Sequence, residues 1–554
     1  MSGGRCSRYS RCMSGPKTTT PWLDYAPGRA WDEAMDVEGK VRGPYEAVYR
    51  EIEQMSRDDL QQHAEALAST YLAQGVTFDH AGEERPFPLD IVPRVVSSQD
   101  WDIIEPGVVQ RVRAVEAFLA DVYSAQRCVA DGVVPRSLIT SSRHFHRAAA
   151  GIHPPGGVRV HVSGIDIVRD QKGIHRVLED NVRVPSGVSY VLSNRRAMSQ
   201  LFSDLFATMG IRPVLEYSQR LRKALAKVAP EGVEEPTIVV LTPGVYNSAY
   251  YEHSLLARTM GVELVEGRDL EVVGGRVYMR TTAGRQRVDV IYRRVDDDFL
   301  DPVQFRGDSA LGAPGLINVA RLGNVTLANA VGNGVADDKL VYTYLPELCR
   351  YYLGEDLILP NVDTWRLEDA AAREEVMDRL EELVVKPVDG SGGKGVLIGP
   401  AASKSELAAA RNLLELNPRG WIAQPVVQLS TVPTLSEDGL EPRHVDLRPF
   451  AINGGEDDVW VLPGGLTRVA LDRGQLVVNS SQGGGSKDTW VLGPIDFPRR
   501  YPGGRRRDEV REEQVDIGGI HAVPQSNHPE DQAQGQQQAQ QQQQARDEAG
   551  GGSC

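Results

Sequence analysis

The stretch 383-LVVKPVDGSGGKGVLIG-399 decides how this chain is read. Two short apolar runs, 383–388 and 396–399, flank a loop, 389–395, with four glycines in seven positions. Glycines let a backbone come close to a ligand and turn its N–H groups toward an anion. Lys386 ends the first run and Lys394 lies in the loop. Only ten of the 61 basic residues are lysine, so two in one motif carry weight. A P-loop is disfavoured. It needs Ser or Thr after the lysine, but Gly395 follows Lys394, and strands rather than a helix flank the loop. GxGxxG is not matched either. The pattern predicts a flexible loop between antiparallel strands that closes over phosphates. A glycine-rich hairpin with solvated lysines is the plain alternative.

Working outward, 164-GIDIVRDQKGIHRVLEDNVRVPSG-187 reads as a second hairpin. A turn centred on Gln171 and Lys172 would place Asp166 opposite Val177. Glu179 and Asn181 would share its face, because strand side chains alternate with period two. Two carboxylates and an amide oxygen on one ribbon suit magnesium, with phosphate oxygens completing its octahedron. Arg183 could reach the same place as an electrostatic clamp. The reading depends on register, since a three-residue loop would turn Asp166 to the other face. A solvated hairpin face is the alternative.

The rest of the chain divides by texture. Residues 1–24 read as a disordered leader. Residues 25–235 hold helices at 44–73 and 106–130, the hairpin above, and a helix at 193–209. Residues 236–335 open with TIVVLT, a helix at 248–260 and VELVEG, the βαβ pattern of a parallel sheet. VVGGRVYMRT reads as a Gly-Gly hairpin. Residues 336–492 carry helices at 338–353 and 367–383, the lysine strand and its loop, a helix at 405–414, and the strands WIAQPVV, HVDLRPFAI and VWVLPGGLTRVAL. Residues 493–554 form a low-complexity tail with a glutamine tract at 536–544, too poor in apolar residues for a core.

Composition narrows the class. The chain has 554 residues, 41% hydrophobic and 25% charged, enough for about three domains or subdomains. No run reaches the roughly 18 apolar residues of a membrane span. The net charge of −15 disfavours a dedicated nucleic-acid binder, which needs a basic face. The five cysteines, Cys6, Cys12, Cys128, Cys349 and Cys554, form neither a disulfide framework nor a zinc site. A reducing, cytoplasmic setting is expected, with Cys128 and Cys349 in the core. The N-terminus lacks the apolar segment of a secretory signal. Met13 is an alternative start, and a transit peptide is a further option.

Taken together, these stretches resemble the ATP-grasp superfamily. ELVVKPVDGSGGKGV resembles its phosphate-binding lysine strand and glycine loop, and WIAQPVV its hinge beside the adenine. HVDLRPF resembles the strand with the DxR pair, LEDNVRVPSG the ExN magnesium motif, and VADDK, with Lys339, its first phosphate lysine. The usual order is rearranged, because Glu179 and Asn181 precede Lys386. That arrangement is similar to the circularly permuted ATP-grasp family (type 2, glutathionylspermidine synthase-like ligases), as are DSALGAPGLINVARLGNVTLANAVGNGVADDK and NSSQGGGSKDTW. The resemblance spans roughly residues 25–492. Gln424 departs from it, standing where a glutamate is frequent in the hinge.

The resemblance implies an α/β (α+β) fold: a permuted ATP-grasp with a Rossmann-like pre-ATP-grasp segment and disordered termini. It implies ATP as cofactor, held at the phosphates by Lys339, Lys386, Ser391, Gly392, Gly393 and Lys394, and at the base by Gln424 and Val427. Mg2+ would be held by Asp166, Glu179 and Asn181. Arg183, Arg448 and Arg468 would stabilise transferring charge or bind a substrate carboxylate. The implied activity is a carboxylate–amine or carboxylate–thiol ligase working through an acylphosphate. Its expected partners are small-molecule or peptide carboxylate and amine substrates, with no nucleic acid and no membrane. The alternative is a non-catalytic ATP-binding partner or regulatory subunit of a peptide-modifying complex. An interaction scaffold is a more distant reading. Three stretches stay open beside this: YRRVDDDFLDP (292–302) as an acceptor-site wall or a solvated loop, His144 and His146 at a helix or its edge, and Ser480, Ser481, Lys487 and Asp488 around a second glycine loop facing nucleotide or substrate.

Overall fold

The computed structural model describes residues 25–494, apart from 81–82, 391–394, 456–457, 471–472, 476–477 and 479–484. The α/β class is what the residues form. The leader, the glutamine tract and most of both glycine loops lie outside the described residues.

Three sheets position the site. A nine-stranded sheet runs Val459–Val461, Phe450–Asn453, Val162–Arg169, Gly439–Arg448, Leu466–Val469, Gly485–Val491 and Leu89–Val96. His175–Asn181 pairs with Val162–Arg169, and Thr431–Ser436 with Gly439–Arg448. Strands more than three hundred residues apart are therefore ladder neighbours. The second sheet is antiparallel: Trp365–Arg366, Trp421–Pro425, Leu383–Pro387 and Leu397–Ile398. The helices Ala370–Asp378 and Lys404–Leu416 contribute to its separate core, with Val376, Leu407 and Leu414 packed against Leu383, Val385 and Ala423. Each such aliphatic burial contributes about 1.5–3 kcal/mol, so this small layer holds itself together.

The third sheet is parallel, in the order Thr326–Ala328, Val290–Arg293, Ile238–Leu241 and Glu263–Val265. The predicted βαβ unit is Ile238–Leu241, the helix Tyr250–Met260 and Glu263–Val265. The Gly-Gly hairpin joins Leu270–Val273 to Arg276–Thr281, and both turn glycines have positive φ (59° and 73°).

Some helix bounds differ from the sequence reading. The long helix is Ser98–Val122, so Pro106 lies inside it rather than near its start. The start is set by Ser97, whose side chain accepts from the Asp100 amide (3.0 Å). Gly107, next to the proline, allows close approach of Leu359; a Cβ there would come within 2.4 Å of its side chain. The helix expected at 193–209 is two, Val188–Leu201 and Ser203–Thr208, broken at Phe202.

Candidate functional site

Alternation along Leu383–Pro387 divides its side chains between two surroundings. Leu383 and Val385 enter the core of the small sheet, while Val384 and Lys386 face the other way. The strand pairs with Trp421–Pro425 so that Val384 opposes Gln424 and Lys386 opposes Ile422. A pocket of about 170 Å³ lies against this face, lined by Val384, Lys386, Ile398, Gln424, Val427 and, from the large sheet, Asp446. A much larger cavity, about 1040 Å³, lies along Val385 and Pro387 beside the helix Lys404–Leu416. Among the described residues it touches none of the predicted site residues, although Asp389 and Gly395 line it; the smaller pocket is the one that Lys386, Gln424 and Val427 line.

Opposite stands the hairpin Val162–Arg169 and His175–Asn181. Its register differs from the predicted one. Asp170 and Ile174 close a three-residue loop of Gln171, Lys172 and Gly173, with Gly173 at φ 77°. Continued regularly, that loop would set Asp166 against Leu178 and turn Glu179 away. A bulge between Asp166 and Ile167 on one strand, with Leu178 extra on the other, restores the phase. Asp166 then pairs with Glu179, and Gly164 with Asn181. The predicted face is reached through two one-residue offsets that add to one full side-chain period, so that Asp166 pairs with Glu179 rather than with Val177.

Asp166 is buried and fully engaged. Arg448 donates to it through Nε (2.5 Å) and Nη2 (2.7 Å), and Arg468 through Nη2 (2.7 Å). Arg468 also grips Asp446 through Nε (2.9 Å). Burial works to raise the Asp166 carboxyl, but the two guanidinium groups overcome it and hold the group below the usual carboxylate range. Glu179 is less enclosed. Its carboxylate lies 3.2 Å from Lys339 Nζ and 3.7 Å from Arg448 Nη2. Lys339 also donates to the Gly390 carbonyl, at the foot of the glycine loop. Burial pushes the Lys386 ammonium down to about 8, against the pull of Glu179 and with Lys339 adding to the fall. Lys339, Lys386, Glu179, Asp166, Arg448 and Arg468 thus come together from six different elements.

Arg183 belongs to a neighbouring cluster. Its Nε lies 3.6 Å from Asp296 and 3.8 Å from Asp337, and its Nη1 is 3.4 Å from His144 Nδ1. Asp337 accepts from the Val182 amide (2.8 Å). Burial pushes its carboxyl up to about 7, despite Arg183. Burial and then Arg183 keep His144 well below the ordinary histidine range. His146 faces Asp297 at 3.7 Å. His144 lies in the loop after the helix Arg136–Thr140, and His146 at the N-terminal edge of the 3-10 helix Arg147–Ala149. Asp337 is a group the sequence reading passed over. Its only signal was adjacency to Asp338 and Lys339 in VADDK.

The residue types fit a magnesium ion carried largely by phosphate. Glu179 and Asn181 lie side by side, with Asn181 Nδ2 3.4 Å from Glu179 Oε1. Magnesium is usually held by one or two carboxylates, with waters and substrate phosphates supplying the rest. No cluster of three or more His, Cys, Asp or Glu residues suited to a metal occurs among the described residues. Asp166 already balances two cations.

Ser391, Gly392, Gly393 and Lys394 lie outside the described residues, as do Ser480 and Ser481. The reading of Lys487 and Asp488 as part of a loop facing nucleotide or substrate is corrected. Both are buried in Gly485–Val491. Lys487 bonds Asp90 (2.5 Å), the Val92 carbonyl (2.9 Å) and the Pro433 carbonyl (2.8 Å). Asp488 pairs with Arg195 (2.9 Å). The physical reason is that a strand interior leaves these charges no route to solvent, so each is neutralised by a fixed partner. Cys128 and Cys349 are core residues, as expected.

The family model described as "Circularly permuted ATP-grasp type 2" matches residues 93–470. An uncharacterized protein of Mycobacterium tuberculosis is 59% identical over 465 residues, covering 84% of each chain. An uncharacterized protein of Synechocystis sp. is 52% identical over 475 residues, covering 84% of this chain and 98% of the relative. A Frankia alni protein provisionally named glutamate–cysteine ligase 2-3 is 44% identical over 489 residues, covering 86% of this chain but 56% of that relative. Among solved structures, a glutathione synthetase-like effector from Globodera pallida superposes with a TM-score of 0.51 at 10% identity. The superposition covers 79% of this chain and 98% of the effector. At that identity the likeness concerns the fold. Among the described residues no helix is long and apolar enough to cross a membrane.

Proposed function

The chain belongs to the circularly permuted ATP-grasp type 2 family of ATP-dependent ligases, and from that premise we propose that it joins a carboxylate to an amine through an acylphosphate, with magnesium. The observation that carries the reading is the meeting of Lys339, Lys386, Glu179 and Arg448 beside a base-sized pocket. Lys339 and Lys386 hold the phosphates of ATP. Gln424 and Val427 wall the base. Glu179 and Asn181 hold the magnesium, which when bound would offset charge on the phosphate oxygens. Asp166 fixes Arg448 and Arg468 in place, so their free N–H groups need no reorganisation to meet developing charge.

A substrate carboxylate attacks the γ-phosphorus and ADP leaves with the bridging oxygen. The amine nitrogen then attacks the acyl carbon, and phosphate leaves with the mixed-anhydride electrons as the amine proton passes to solvent. No protein nucleophile is used; positioning and charge stabilisation carry the barrier. Arg183, held beside Asp296 and Asp337, is our candidate for binding a substrate carboxylate. The Frankia alni name belongs to a protein of which this chain spans about half, so it does not identify the acid or the amine.

The test is binding of ATP to the full chain, with and without magnesium, by thermal shift. Saturation at about 100 Kd should raise stability by about 2.7 kcal/mol. The shift should need magnesium, and Glu179→Gln should lose that dependence. No shift in the intact chain would overturn the reading.

A further inference from the structure

The three-stranded sheet that carries the Gly-Gly hairpin has two unlike faces. Its order is Gly284–Val288, Arg276–Thr281 and Leu270–Val273. One face is apolar: Leu270, Val277, Met279 and Val288 are buried in the core that also holds Leu316 and Ala320. Alternation puts Arg276, Tyr278 and Arg280 of the central strand on the other face, and the register adds Arg285 and Arg287 of the edge strand. The stretch 276-RVYMRTTAGRQRV-288 has four arginines and no acidic residue, in a chain of net charge −15. Arg280 stands directly opposite Arg285, and like charges so placed are destabilising. Glu271 serves both: Arg285 donates to it, and Arg280 lies 3.8 Å away. Arg287 has Asp289 at 2.8 Å. Arg276 is exposed and has no ion pair among the described residues. Charges on an edge strand keep the strands of other molecules off, which would account for Arg285 and Arg287. It does not account for Arg276 and Arg280, which stand on the central strand. The face carries more positive charge than its own carboxylates offset.

We propose that this face binds an acidic segment of a partner protein, laid in extended form along Gly284–Val288. Among the described residues that strand pairs with Arg276–Thr281 alone, so its outer edge can take another strand. Arg285 and Arg287 are two residues apart, about 7 Å along the strand. Carboxylates at alternate positions of an added strand have the same spacing and point to the same face. Arg280 stands beside Arg285, one strand further in, and backs the same carboxylates. Tyr278 is the one aromatic ring on the face, too little to stack a run of bases, and a nucleic-acid binder needs a basic footprint wider than one hairpin. Screening over about 8–10 Å confines the attraction to the hairpin itself. A narrow acidic peptide therefore meets the arginines without meeting the negative charge of the rest of the chain, as a long polyanion would.

The experiment is fluorescence anisotropy of a labelled Glu-Thr repeat peptide titrated with the full chain at low salt. Binding is expected, and it should weaken as sodium chloride rises past about 0.15 M. Arg280→Ala combined with Arg285→Ala should weaken it about tenfold or more. Both side chains are exposed and repel each other, so Tm and the ATP shift should stay at the parent's values, which separates lost docking from lost folding. A Lys-Thr repeat peptide should not bind. Absence of binding by the Glu-Thr peptide, or equal binding in the double variant, overturns the proposal. So does tighter binding of an oligouridylate or of phosphatidylserine vesicles that the same variant loses, since the face would then belong to a nucleic acid or a membrane. Each of these outcomes leaves the ligase reading standing.

Discussion

Two lysines with similar sequence settings, each beside a glycine run, have opposite duties. Lys386 faces a pocket and Lys487 faces three fixed acceptors in a strand interior. Lys386→Ala should weaken ATP binding by the worth of a charged hydrogen bond, about 1.5–3 kcal/mol, or tenfold and upward, with little change in Tm; calorimetric titration reads this. Lys487→Ala strands Asp90 without its cation and should cost about 3–5 kcal/mol of stability. Urea denaturation reads that loss. Asp337 carries a pH signature. Its carboxyl stands at 3.8 ordinarily and about 7 in the fold, so the folded chain holds a proton that the unfolded chain has released. That contribution is full below about pH 4 and is lost as pH rises through about 7. Asp337→Asn removes it while keeping an acceptor for Val182. Its stability relative to the parent should therefore climb between pH 4 and 7, and parallel denaturation profiles would refute the assignment. At this scale residue type was legible, since Glu179, Lys339 and Lys386 all stood in readable motifs. Their company was not. Arg183 lies two residues from Asn181 in sequence, yet its ion pairs are with Asp296 and Asp337.

Elements carried clearer signals where contacts are local. The Gly-Gly hairpin, the βαβ unit and the capped helix Lys404–Leu416 follow from turn chemistry and periodicity within a few residues. The hairpin of Val162–Arg169 and His175–Asn181 shows the limit. Its loop length and its bulge each shift the phase by one residue, and both depend on what packs around the ribbon. Gly173 lies against Trp31, with a Cβ position only 2.9 Å from the ring, at φ 77°. Gly173→Ala should therefore destabilise by at least the roughly 1–2 kcal/mol of the left-handed conformation. ATP binding should survive in the folded fraction, because the loop is at the far end of the ribbon from Glu179. A mutant as stable as the parent would contradict the packing. The helix Ser98–Val122 misled for a related reason. Pro106 reads as a start, but the cap at Ser97 and the burial of Trp101 and Ile104 extend the helix past it.

Across the whole molecule, one sheet gathers Leu89–Val96, the hairpin Val162–Asn181 region and strands out to Gly485–Val491. Leu492 and Gly493 still bond to Val96 and Gly210. A chain ending at Pro494 should keep its magnesium-dependent ATP shift, with Tm changed by less than about 2 °C, a fraction of a kcal/mol at this size. A larger fall would place part of the fold beyond that point. By itself, the sequence determined the α/β class, the permuted order of the motifs and the chemistry of the individual side chains. Each of these is written in local pattern: period, turn residues, and a lysine beside a glycine loop. Only the tertiary structure decided that Asp166 is clamped by Arg448 and Arg468, that Lys487 is structural, and that Glu179 faces Asp166 through a bulge. Those outcomes depend on partners up to 397 positions away along the chain. Burial decides them, because a desolvated charge or amide must take whatever partner the packed sheets bring within reach.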